Sequence, residues 1–243
     1  MRVRPFFRYL PIILAIVSIF LGGCLSRSQT PRFYALSPMQ QDQEISKRKS
    51  PAQNAVIGIG PIKLADYLDQ SNLVTRTSDN QIAKAEYDRW AGSFKDDFIN
   101  VLADNIGSLL STERIYLYPW RMSVPIDYQV VVDIVRCDGR LGDAAWLEAR
   151  WSIFEGPEKK LLKMNRVSIR EPVRGADYAA LVAAESRAVA KLSQEIAAAI
   201  QGAADAIGSG RPASPGPPTD GGKQKKPFPG KAPPANKDEQ ETE

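Results

Sequence analysis

The 243-residue sequence predicts an α/β fold: one domain with a mixed β-sheet packed by two main amphipathic helices, preceded by an apolar leader and followed by a disordered tail. Three observations carry this expectation. Short β-branched and aromatic runs bounded by turn residues alternate with two long stretches of helical period. Hydrophobic residues make up 43% and charged residues 25% of the chain, the balance of a chain that buries a core. From about residue 208 the composition changes abruptly to Pro, Gly and Lys. The expected division is 1–23 leader, 24–31 linker, 32–206 α/β domain and 207–243 tail.

Residues 32–36 (RFYAL) read as an opening strand, followed by a polar connector over 37–51. Residues 55–64 (AVIGIGPIKL) read as a buried strand with Pro61 at an edge or bulge, because proline cannot donate to a ladder. Residues 73–77 and 81–86 flank Ser78-Asp79-Asn80 and predict a two-strand ribbon. Between 90 and 110, Trp90, Phe94, Phe98, Val101, Leu102, Ile106 and Leu109 recur every three or four residues, which predicts an amphipathic helix capped by Ser93. A strand over 114–118 stops at Pro119. Strands over 128–137, 145–154 and 160–169 predict a meander. The middle one sets Ala145, Leu147, Ala149, Trp151 and Ile153 on one face, so one side of the sheet is buried and the other wet. Residues 177–200 carry a second apolar helical stripe with no proline.

The absence of histidine excludes His-based triads, His-ligated zinc and imidazole general-base chemistry. Cys137 ends a Val-rich strand and reads as a buried, inert thiol rather than a nucleophile. Adjacent acids such as Asp96-Asp97 serve capping, and Gly58-x-Gly60 lacks the helix start that a phosphate loop needs. No catalytic residue, cofactor or metal site is expected. The net charge of +4 falls to +1 without the leader arginines Arg2, Arg4 and Arg8, which argues against a nucleic-acid partner. Aromatic and arginine side chains on loops are what protein interfaces favour; the loop over 66–72, with Asp66, Tyr67 and Leu68, together with Trp90 and Trp120, forms the expected partner surface.

The leader has the order of an export signal: three arginines, an uncharged apolar run over 9–21, then Gly22-Gly23. The alternative is a retained signal anchor. Leu21-Gly22-Gly23-Cys24 resembles the bacterial lipobox, which implies acylation of the Cys24 thiol and cleavage just before it. Leu25 stands where the inner-membrane retention aspartate would be, so the resemblance implies the outer membrane, periplasmic face. The tail is too polar and proline-rich to offset its own ordering entropy.

The series formed by the lipobox, RFYAL, IGIGPIKLADYLDQSNLVTRTSDNQI, Tyr87-Asp88-Arg89-Trp90-Ala91, Tyr118-Pro119-Trp120, Asp127-Tyr128-Gln129-Val130 and 177–182 (DYAALV) resembles the PqiC-type auxiliary lipoproteins of ABC transport systems over residues 21–202. The resemblance implies a non-catalytic lipoprotein working with an MCE-domain protein and with an inner-membrane permease and ATPase, on phospholipid or similar cargo. A ring of identical subunits is compatible with it. Cys137 departs from the aromatic or aliphatic residue expected there, and the long tail is extra. Two rivals remain open: direct binding of a small apolar ligand in a closed pocket, and an envelope enzyme.

Overall fold

The computed structural model describes residues 29–40, 50–120, 124–156 and 159–209. The leader, Cys24 and nearly all of the tail lie outside the described residues.

Eight strands form one mixed sheet: β1 (Arg32–Tyr34), β2 (Ile57–Leu64), β3 (Asn72–Ser78), β4 (Gln81–Trp90), β5 (Ile115–Leu117), β6 (Tyr128–Gly139), β7 (Ala144–Glu155) and β8 (Lys160–Pro172). Two helices, α1 (Phe94–Leu110) and α2 (Tyr178–Gly208), cover one face. The meander β6-β7-β8 is antiparallel throughout, with Val132 opposite Trp151 and Trp151 opposite Asn165. Along its other edge β6 pairs in parallel with β2, and beyond β2 lies β5, also parallel. The ribbon β3-β4 joins the end of β6 through Thr75 and Gly139 alone.

The expected alternation on β7 holds. Ala145, Leu147, Ala149, Trp151 and Ile153 are buried beneath the helices, while Trp146, Glu148 and Ser152 are half-buried on the other side. Phe98, Leu102, Ile106 and Leu110 of α1 and Leu181, Val189, Leu192 and Ile196 of α2 complete the core. At about 25 cal/mol per Å² of apolar surface, this layer supplies the dominant stabilising term. Gly139 permits its closest approach, since a methyl group there would stand 2.5 Å from Leu181 and 2.7 Å from the Ala144 carbonyl oxygen.

Local chemistry sets the element ends. Ser93 accepts from the Asp96 N–H and Asp177 from the Ala180 N–H, each satisfying a donor that the first turn leaves free. The helix expected from Trp90 therefore starts at Phe94. Residues 81–90 continue the β-ribbon, and the apolar spacing that includes Trp90 spans a strand end and a helix start. Pro61 sits at a register shift between Ile59 and Ile62, where β2 bulges, and Gly60 adopts φ 117° there. The second helix continues to Gly208, past the expected end near residue 200.

The N-terminal segment is fastened over long sequence distances. β1 pairs in parallel with β4, and Asp88 accepts from Arg32 at 2.7 and 2.8 Å and from the Tyr34 hydroxyl at 2.7 Å. Residues 35–40 then run as a strap over the two helices. The Leu36 N–H donates to Asp97, Ser37 to Ser186 and Met39 to Asn105, and Asn105 in turn donates to Ser193 between the helices.

Candidate functional site: the uncovered face of the sheet

Ile57 and Ile59 point into the core, so the pleat turns Gly58 and Gly60 toward the opposite face, which no described helix covers. The two glycines form a floor for aromatic rings. A methyl group at residue 58 would come within 2.6 Å of the Trp120 ring, and one at residue 60 within 2.7 Å of the Tyr118 Cβ. Tyr118 and Trp120 meet edge to face at 5.5 Å, and Tyr116 and Tyr118 remain exposed. Apolar character continues across the same face through half-buried Val131 and Phe154 to exposed Leu161 and Met164.

The other end of this face is built from arginine. Asp138, wholly buried, accepts from Arg76 at 2.8 and 3.1 Å, from Arg136 at 2.9 Å and from the Tyr67 hydroxyl at 2.9 Å. Burial alone would raise the Asp138 pKa; the hydrogen bonds from Arg76, Arg136 and Tyr67 outweigh it and hold the carboxyl below its ordinary value. Burial, with the adjacent Asp138 charge, pushes the Tyr67 phenol up. Trp146 lies next to this cluster on β7, with the guanidinium carbons of Arg136, Arg170 and Arg140 at 4.5, 5.6 and 5.8 Å from its ring centre. Arg140 and Arg170 are themselves held by Asp79 at 2.7 Å and Asp143 at 2.8 Å. Ordered cations and a half-buried aromatic present a rigid surface whose side chains lose little freedom on contact.

The structure separates the residues expected at the partner surface. Asp66 is exposed and Tyr67 half-buried in a short 3-10 turn after β2, beside the arginine cluster. Trp120 lies toward the opposite end of β2, over Gly58. Leu68 and Trp90 are corrections: both are buried in the core, and the Trp90 ring packs on Phe94 at 4.6 Å beneath the helical layer. Neither side chain is available to a partner in this fold. Sequence reading missed Trp146 and its arginines. Their signal was the polar alternate positions of the meander, where Trp146, Arg150, Arg166 and Arg170 all fall on the face opposite the core.

On this face the arginines Arg136, Arg150, Arg166 and Arg170 pair with acids. Among the described residues no cluster of Cys, Asp and Glu could hold a metal, and no helix is long and apolar enough to cross a membrane. Cys137 is a free, buried thiol, pushed up by burial and by the nearby Glu185 and Asp138 charges. Burial likewise pushes Glu185 far above its ordinary value, and its Oε2 has no hydrogen-bond partner.

The fold resembles solved structures. An uncharacterized protein shares 20% identity at a TM-score of 0.58, covering 71% of this chain and 99% of its own. A Xanthomonas campestris protein of the DUF330 family shares 15% identity at a TM-score of 0.57, covering 72% and 99%. No curated protein matches the chain. The model of the ABC-type transport auxiliary lipoprotein component family matches residues 34–197, from β1 through most of α2, and the chain belongs to that family.

Proposed function

We propose that the protein is a non-catalytic lipoprotein, anchored through Cys24 to the periplasmic face of the outer membrane, that docks on or caps an MCE-domain conduit served by an inner-membrane permease and ATPase. ATP is hydrolysed elsewhere; this chain binds and positions. The observation that carries the reading is the uncovered sheet face, with Tyr118 and Trp120 at one end and Trp146 among three arginines at the other. Aromatic and arginine anchors supported by their own chain are the composition of protein-contact hot spots. β1 begins eight residues after Cys24, which keeps the domain within about 30 Å of an anchored thiol at roughly 3.3–3.6 Å per extended residue.

In-cell photo-crosslinking from positions 120 and 146 tests the docking. An MCE-domain protein is the expected product from both, and its absence from both overturns the reading. The Cys24→Ser variant is expected to leave the membrane fraction, since two or more acyl chains give stable anchoring; retention of that variant at its usual size would remove the anchor from the account. Direct binding of a small apolar ligand would use a groove of about 600 Å³ between the strap and α2, whose lining includes Tyr34, Met39, Ala179, Val182 and Ala190. Recovery of a bound lipid together with no crosslinked partner would favour it.

A further inference from the structure

β5 is the terminal strand on its side of the sheet, and among the described residues nothing pairs with its outer edge. The Arg114 carbonyl accepts from Ile57 and the Tyr118 N–H donates to the Ile59 carbonyl, so residues 114, 116 and 118 turn their backbone groups toward β2. Ile115 and Leu117 therefore direct their N–H and C=O groups outward, as a template for one more strand. Beside this edge, under the outer side of α1, lies a groove of about 600 Å³ whose walls include Ile115, Leu117, Gly107, Asp104 and Glu113. Among the described residues that line it, Asp104 and Glu113 are the charged ones, and both are acidic. The groove thus sets an acidic lining beside an unpaired strand edge.

The chain supplies a segment of the matching chemistry. The Gln201 side chain of α2 donates to the Leu109 carbonyl at the end of α1, two residues from Gly107 and from Ser111 on the groove wall. α2 ends at Gly208, seven residues beyond Gln201, and residues 210–243 follow it in the sequence. Prolines punctuate that segment, but 219–226 (TDGGKQKK) contains none and can donate every backbone N–H. Within it Lys223 and Lys225 are two residues apart, which puts both on one face of an extended strand. Thirteen residues, 210–222, separate the helix end from this stretch and span roughly 40 Å at about 3.3 Å each, ample for crossing the width of α1.

We infer that residues 222–226 of this chain add to the outer edge of β5 as a short strand, with Lys223 and Lys225 reaching the carboxylates of Asp104 and Glu113. Backbone pairing supplies the affinity and the two lysines the register. Tethering turns a weak peptide contact into an intramolecular one, at an effective concentration in the millimolar range. A segment unable to build a core can still complete a sheet that is already folded. The contact also explains how an edge carrying Tyr116, Leu117 and Tyr118 is kept from pairing with other chains.

Hydrogen exchange of the full chain across residues 113–118 provides the test. In the wild type the Ile115 and Leu117 amides are expected to exchange about tenfold more slowly than in Lys223→Glu/Lys225→Glu, and 0.5 M salt should narrow the difference. Adding Asp104→Lys/Glu113→Lys to that variant should restore protection by swapping the charges. Zero-length carbodiimide coupling should join Lys223 or Lys225 to Asp104 or Glu113 within one chain. Equal exchange in the wild type and the lysine variant overturns the inference. So does protection that survives the lysine changes and disappears on dilution, since the occupant is then a second copy.

Discussion

Two buried carboxylates on neighbouring elements are treated in opposite ways, and the difference shows in how stability follows pH. Asp138 keeps its charge because Arg76, Arg136 and Tyr67 all donate to it. Its folded pKa is lowered, so its contribution is present above the unfolded value and is lost as pH falls through the folded one. Glu171, held down by Lys191 and Arg187 against its burial, acts in the same direction. Glu185 does the reverse. Its folded pKa lies well above 4.5, so the native state holds a proton that the unfolded chain releases, and stability falls as pH rises from 4.5 toward the folded value. Glu185→Gln should remove that decline, because an amide is neutral without taking up a proton, and should raise the urea midpoint over the wild type more at pH 7 and 8 than at pH 5. Asp138→Ala should cost about 3–5 kcal/mol in the same measurement, because it strands two guanidinium groups whose side chains are only 15% and 22% exposed.

Among the elements, those made by local chemistry were the legible ones. The meander, the β3-β4 ribbon, the Ser93 cap and the two apolar helical stripes follow from periodicity and turn residues a few positions apart. Replacing Ser93 with Ala should cost about 1 kcal/mol, measured as a lower thermal midpoint, since it frees one first-turn N–H. What the sequence did not disclose are pairings over long separations: β1 on β4, β2 and β5 in parallel, and the three donors of the strap. The Trp90 misassignment has the same origin, because helical spacing says nothing about which of its members belongs to the preceding strand. Gly139 belongs with these hidden constraints. Gly139→Ala would drive a methyl group against the Ala144 carbonyl oxygen and the Ala145 backbone as well as Leu181, and should lower stability by several times as much as Ser93→Ala.

On the scale of the whole molecule, a two-layer domain has one sheet face that its own helices cannot cover. The wet alternate positions of β7 predicted that face, but not its division into an aromatic end over Gly58 and Gly60 and an arginine end around Trp146. That division depends on the glycines of β2 and on side chains from β3, β6, β7, β8, the segment after β5 and the turn after β2. Gly58→Val should displace the Trp120 ring with little loss of stability, because the half-buried ring can swing outward; a red-shifted tryptophan emission at an almost unchanged melting temperature is the expected signature. Trp151→Ala, on the opposite face, should instead cost about 3–5 kcal/mol.

The strap over residues 35–40 gives the molecule a mechanical axis. A pull on the N-terminus is borne first by the Arg32–Asp88 pair and then divided among Asp97 and Asn105 on one helix and Ser186 on the other. Tension therefore enters at the edge of the sheet through β1 and β4 and passes on into the helical layer behind it, while the side chains of Trp120 and Trp146 lie outside that path.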